Sequence, residues 1–230
     1  AMVFESWIFS ELTNAYGDIP YSDAIKGEES VFTPKYDTQA SIYQDLLDKL
    51  DLAISMLKGS GTISGDILYN GDALKWIKFA NGLKLRLLMY ESNKIDVSNS
   101  FKLIVEQGEL FESNEDQAAL NFLNSFPNQF PTIPLKQGDF DAVAISKSAL
   151  DLMEFYHDPR LSRYARPDNL NFEAPEFTGV ANGVGGQTGS RLGLSYFDYP
   201  GHVTASEIGI NYADGIIMSY AEVEFLIAEA

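Results

Sequence analysis

At 230 residues the chain is long enough for one large domain or two small ones, and its hydrophobic share of 45%, with 13% aromatics, suits a packed interior. A formal charge of −17, from 16 basic against 33 acidic residues, opposes the clustered lysines and arginines that phosphate binding needs, so nucleic acid is excluded as a partner. The lack of cysteine removes disulfides, thiolate chemistry and cysteine zinc sites, and no apolar run reaches the roughly 18 uncharged residues of a membrane-spanning helix.

The acidic surplus reads as a solubilising surface. The opening AMVFESWIFSEL lacks the basic start and small-residue cleavage site of a signal peptide. Phe4, Trp7, Ile8, Leu12 and Ala15 recur at helical spacing and predict a first helix with that stripe as its packed face, ending at Gly17. Pro20 holds YGDIPYSDA extended, and residues up to Pro34 are expected to form an ordered loop. The second helix is capped by Asp37 or Thr38, with Ile42, Leu46, Leu50, Ala53 and Leu57 in one stripe, Leu47 and Ile54 beside it, and Gly59 at its end. SGTISGDILYNG connects it to a third helix, DALKWIKFANGLKLRLLMYES. Leu74, Ile77, Ala80, Leu83 or Lys84, Leu87 and Leu88 mark its packed face, widened by Trp76 and Phe79.

A fourth helix is expected over Ser98 to Gln107, stopping at Gly108. From about Glu112 to Asp141 the prolines at 127, 131 and 134 break any long element. SKSALDLMEFYHDPRL predicts a fifth helix capped by Ser146 or Ser148 and closed by Pro159. Arg166 to about Asp214 is turn-rich. SYAEVEFLIAEA then begins a helix with glutamates at 222 and 224, where acid favours the positive end of the helix dipole. Its stripe of Ala221, Phe225 and Ala228 has nothing after it to cover it. The paired helices between Asp37 and Gln107 suggest helical hairpins, and Trp76, Ala80, Gly82 and Leu83 match a tetratricopeptide pattern only loosely.

Reactive constellations are absent from the sequence pattern. Glu154 and His157 form one E-x-x-H pair, but a bundled di-iron site needs two such pairs and His202 has no matching acid, so both read as surface residues. GVGGQTGS fails the spacing of a phosphate-binding loop and carries no lysine after its last glycine. Asp139 with Asp141, and Glu28 with Glu29, are uninformative in so acidic a chain, and neither histidine lies near a nucleophile elbow. No catalytic residue, metal ligand or cofactor is assigned. Two aromatic loops remain. Phe126, Asn128 and Phe130 in NSFPNQFP, and Tyr196, Phe197, Asp198 and Tyr199 in SYFDYPG, place rings beside amides and carboxylates. Such rings either pin long loops to the core or offer a sugar ring a flat apolar platform with hydrogen-bond partners around it.

Five stretches in register (YGDIPYSDA, YDTQASIYQDLLDKLDLAI, DALKWIKFANGLKLRLLM, DPRLSRYA and MSYAEVEFLIAEA) resemble the SusD/RagB-like nutrient-binding lipoproteins, from about Asn14 to Ala230. The likeness is greatest to the branch described as starch-binding and outer-membrane-associated. It implies a mostly α fold of tetratricopeptide-like hairpins with long irregular ligand-face loops, part of a SusD-like α/α superhelix. The single domain would be helical over 1–110 and 144–165, loop-rich over 111–143 and 166–215, and would end in the unfinished helix 219–230. The resemblance also implies a protein anchored by a lipid on the cell surface of Bacteroidetes, at an N-terminal cysteine upstream of this sequence. It would serve as a lid on a SusC-like TonB-dependent transporter, capturing oligosaccharides, or peptides in some members, without chemistry on the ligand. Members of that family are longer, so the sequence is expected to be truncated at both ends, with the partner of the Phe225 stripe outside it. Phe126, Asn128, Phe130, Tyr196, Asp198 and Tyr199 are the expected ligand residues, whereas Trp76, Phe79, Arg86 and Tyr220 are expected to pack. A helical-repeat adaptor that binds a peptide along a concave helix face and a glycoside hydrolase are the competing readings.

Overall fold

The structure, a computed structural model, describes residues 1–59, 63–123, 128, 144–169, 171, 173–185, 188–191 and 214–230. The described residues are mostly helical, as expected, and divide into two compact bodies, Ala1–Leu120 with Ile216–Ala230, and Asn121–Gly215. No described helix is long and apolar enough to cross a membrane.

The first body is built from α1 (Met2–Tyr16), α2 (Gln39–Lys58), α3 (Ala73–Glu91), α4 (Ser98–Gln107) and α7 (Tyr220–Glu229). The starts of α2, α3 and α7 are set by side chains that accept the orphan N–H groups of a first turn. Thr38 accepts from Ser41 at the head of α2, Asp72 from Leu74 and Lys75 at α3, and Ser219 from Glu222 at α7. Gly108 ends α4 in the left-handed region, where a missing Cβ costs nothing.

Helix α3 is the centre. It is buried on nearly every side from Ile77 to Leu88, with Phe79, Leu83, Leu85 and Leu87 fully enclosed. Polar residues enclosed with them are each partnered, as burial in an apolar interior demands. Lys78 Nζ reaches Asp116 at 2.8 Å and Glu112 at 2.9 Å, and Asn81 donates to the Glu109 carbonyl at 2.9 Å. Leu74 departs from the expected face and is half-exposed, because α3 has only just emerged from its Asp72 cap there.

The expected face of α1 is corrected. Its buried residues are Val3, Ser6, Phe9, Ser10 and Thr13, whereas Ile8, Leu12 and Ala15 are exposed and Phe4 and Trp7 are only partly covered. Two of the buried hydroxyls are satisfied locally: Ser10 Oγ donates to the Trp7 carbonyl at 2.6 Å, and Thr13 Oγ1 to that of Gly17, the residue that ends the helix, at 2.7 Å. The stretch after α1 is also more regular than expected. Strand β1 (Ile19–Pro20) pairs antiparallel with β2 (Tyr36–Asp37), and the Asp37 carboxylate accepts from Ser22 N at 2.7 Å and Tyr21 N at 3.3 Å.

Between α2 and α3 the chain turns about one carboxylate. Asp66 accepts from the backbone N–H groups of Leu68, Tyr69 and Gly71 and from the Trp76 indole at 2.8 Å, while Asn70 and Gly71 adopt positive φ to close the turn. Burial alone would raise the Asp66 carboxyl, but the Trp76 indole and the three backbone donors outweigh it and hold it below its ordinary 3.8.

Two short strands, β3 (Ala118–Leu120) and β4 (Gly215–Met218), pair and lead into α7. Helix α7 lies on α3 through Val223 and Leu226. The approach is close because Gly82 has no side chain: a Cβ there would stand 2.7 Å from Met218 Sδ and 3.3 Å from Val223 Cγ2. Arg86, 6% exposed, then forks onto Glu222, with Nε to Oε1 at 2.6 Å and Nη2 to Oε2 at 2.8 Å, and also donates to the Ile217 carbonyl and to Glu11. Ala221, Phe225 and Ala228 stay uncovered, as their spacing predicted.

Removing one partner of an enclosed ion pair leaves the other uncompensated. Because Glu222 is a third exposed, Glu222→Ala is expected to cost about 2–3 kcal/mol in urea unfolding, below the full buried-pair penalty. Glu222→Gln, which keeps one acceptor, is expected to cost less. Equal losses in the two variants would show that charge and fork geometry are immaterial.

Asp66 carries a pH signature. Its folded pKa is depressed, so its stabilisation is complete above the unfolded value and fades as pH falls through the folded one. The stability gap between the wild type and Asp66→Asn is expected to narrow as urea titrations move from about pH 5 to about pH 2. A gap constant across that window would contradict the role given to the carboxylate.

Candidate functional site

The second body starts from a backbone platform. Helix α5 (Lys147–Phe155) is capped by Ser146, whose Oγ accepts from Ala149 N. Just before it the chain is stitched to two distant segments: Ala144 bridges to Arg191 and Ser146 to Val180. Ser190, fully buried, joins the layers. Its N–H donates to the Thr178 carbonyl, its Oγ accepts from Thr178 N, and its hydroxyl donates to Asp168 at 2.9 Å. Two glycines make this density possible. A Cβ on Gly179 would stand 2.5 Å from Lys147 Cα, and one on Gly189 would stand 2.7 Å from the Thr178 carbonyl oxygen. GVGGQTGS is therefore anchored at its C-terminal end by Gly189 and Ser190.

Helix α5 ends at Phe155, earlier than the proline-closed end expected from the sequence. His157 takes a left-handed φ of 51°, and its N–H bonds to the Glu154 carbonyl. The chain then re-enters a single helical turn, α6 (Leu161–Tyr164). Asp158 governs this corner. Its carboxylate accepts from Arg160 N and Nε at 2.9 Å and from Arg160 Nη2 at 2.6 Å. The guanidinium holds the Asp158 carboxyl down at about 2, so the pair stays ionised and internally neutralised at any working pH. Glu154 and His157 are both exposed, and no described group of acids and histidines is arranged to hold a metal ion.

The corner encloses a cleft of about 470 Å³ lined by Leu152, Met153, Tyr156, Asp158, Arg160 and Tyr164. Its aromatic side chains lie open: Tyr156 is 69% exposed and Tyr164 51%, with Phe155 set edge-on to Tyr156 at 5.0 Å. A second cavity, in the first body, measures about 550 Å³ between the starts of α1 and α3 and the end of α2. It is walled almost entirely by apolar groups such as Val3, Ala53, Leu57, Leu68 and Trp76, and the carboxylate on its wall, Asp66, is already saturated by four donors. It can take an apolar group but offers little to a hydroxyl.

Of the six expected ligand residues, Phe126, Phe130, Tyr196, Asp198 and Tyr199 lie outside the described residues. Asn128 is described. It is exposed, and its carbonyl accepts from Leu123 N at 2.7 Å. Trp76, Phe79, Arg86 and Tyr220 all pack in the first body. The α5–α6 cleft was not among the sequence expectations. Its signal is the run FYHDPR, where two rings precede an aspartate and an arginine two residues apart, straddling a proline.

A family model described as "Starch-binding associating with outer membrane" and termed SusD-like matches residues 1–230. Among solved structures, the chain is similar to an outer membrane protein from Bacteroides vulgatus whose description suggests a role in nutrient binding, with 28% identity and a TM-score of 0.81. The alignment covers 100% of this chain and 53% of that one. A chitin-binding protein matches at 28% identity and TM-score 0.76, covering 100% of this chain and 50% of its own. A SusD homologue from Bacteroides fragilis matches at 25% and 0.75, covering 99% and 51%. The chain thus spans about half the length of these structures. No curated protein matches it.

Gly189→Ala is expected to push apart the 144–146, 178–180 and 189–191 segments, because the Thr178 carbonyl in its way is backbone and cannot rotate away. Amide hydrogen exchange at Lys147 and Val180 should accelerate by at least about tenfold, which corresponds to roughly 1.4 kcal/mol of lost local stability. Unchanged protection at both amides would refute the platform.

Proposed function

The chain belongs to the SusD-like family of outer-membrane-associated starch-binding proteins, and on that premise we propose that it captures oligosaccharides at the cell surface. It presents them to a SusC-like TonB-dependent transporter and performs no chemistry on them. In the full protein a lipid holds it to the outer face of the outer membrane, and the chain forms part of one SusD-like domain. The observation that carries this reading is the family match across residues 1–230, reinforced by the likeness to a chitin-binding protein over the whole chain.

Capture without chemistry needs affinity that is adequate but reversible. Exposed aromatic platforms with a few polar neighbours provide this through several weak contacts. The loops bearing Phe126, Asn128, Phe130, Tyr196, Asp198 and Tyr199 remain proposed contributors to that face, on the chemistry of their side chains.

Native gels cast with soluble starch, glycol chitin or other polysaccharides provide the test. Migration of the protein is expected to be retarded in at least one gel, and chromogenic glycosides incubated with it should release no dye. Unretarded migration across a broad glycan panel, or dye release, would overturn the proposal.

A further inference from the structure

The geometry points to the α5–α6 cleft as a saccharide subsite, where Tyr156 and Tyr164 receive the apolar faces of neutral sugar rings and Arg160 and Asp158 bond their hydroxyls. This rests on the glycan-capture reading and adds to it a place and a set of contacts, in residues that no loop expectation included.

Three features of the cleft select that ligand. First, Tyr156 and Tyr164 line one hollow while each remains more than half exposed, so their rings can meet a ligand there. Neither hydroxyl has a hydrogen-bond partner among the described residues, so both are available to a ligand. Second, the charges cancel. Arg160 spends Nε and Nη2 on Asp158, which leaves Nη1 to donate outward, and the matched pair favours neither an anion nor a cation. Third, Leu152 and Met153 supply apolar floor beside those polar groups. A neutral ligand with apolar faces and hydroxyls around its edge fits this lining, and that describes a pyranose. The volume lies in the lower half of the range of small-molecule sites, about 300–1,000 Å³, which suits a short saccharide segment.

The backbone gives the cleft its shape. The left-handed His157 and the Asp158–Arg160 fork fold α6 back toward the end of α5, so the two tyrosines share one hollow. Because both rings are exposed, their removal should change binding with little effect on folding.

The test is calorimetric titration of the chain with chitohexaose and maltoheptaose, comparing wild type with Tyr156→Ala, Tyr164→Ala, Tyr156→Phe and Arg160→Ala. Each alanine at a tyrosine is expected to weaken binding about 3- to 10-fold, the range a lost aromatic contact supplies. Tyr156→Phe should retain most of the affinity, and Arg160→Ala should weaken it. In the unaltered protein, saccharide should slow hydrogen exchange over residues 152–164, a readout independent of whether any variant folds. If wild type binds saccharide but the alanine variants bind equally well and 152–164 is unprotected, the subsite is wrong and glycan capture stands. If wild type binds neither saccharide, nor any polysaccharide in the gel panel, both fall. Protection of 152–164 by short neutral peptides and not by saccharides would overturn the sugar assignment.

Discussion

The first body depends on one enclosed guanidinium. Arg86 on α3 takes both oxygens of Glu222, the Ile217 carbonyl and an oxygen of Glu11, so a single planar group joins α3, β4, α7 and α1. The residues it ties to α3 lie up to 136 positions away along the chain. A buried cation without partners would cost several kcal/mol, so α7 has one favourable placement and few tolerable alternatives. Arginine suits the task because its rigid fork meets a carboxylate at two points and fixes orientation as well as distance. Gly82, one turn earlier, is the steric counterpart of that fork, since the strand and helix that Arg86 holds can approach only where no side chain intervenes.

The same economy recurs in the loops, where single carboxylates replace regular secondary structure. Asp37 collects the N–H groups of Tyr21 and Ser22, Asp66 those of the α2–α3 turn, and Asp116 both Lys78 and the N–H of Glu112. In the second body Asp158 sets a corner and Asp168 receives Ser190. An irregular segment must still satisfy its backbone donors, and an ionised acceptor with two oxygens can serve several at once. The acid surplus is therefore more than a soluble coat; part of it takes the place that sheet ladders hold in other folds.

Packing rings and exposed rings follow opposite rules. Rings that pack, such as Phe79 and Trp76, are enclosed or tied down, with the Trp76 indole spent on Asp66. Tyr156 and Tyr164 are more than half exposed, and their hydroxyls have no partner among the described residues, on a corner tied by the Asp158–Arg160 ion pair.

The residues alone determined the mostly helical class, the starts of α2, α3, α5 and α7 at Thr38, Asp72, Ser146 and Ser219 or their immediate neighbours, and the span of α4. Caps and apolar periodicity act within a turn or two, so they are legible locally. Tertiary structure decided what depends on distant partners. It turned α1 onto a face containing Ser6, Ser10 and Thr13, where the hydroxyls of Ser10 and Thr13 bond to nearby backbone carbonyls and so escape the usual penalty for buried polarity. It also brought Tyr156 and Tyr164 to line one hollow, with a left-handed His157 ending α5 between them, a backbone state that no periodicity encodes. Local chemistry writes elements into a sequence, whereas a site arises where separately written elements meet.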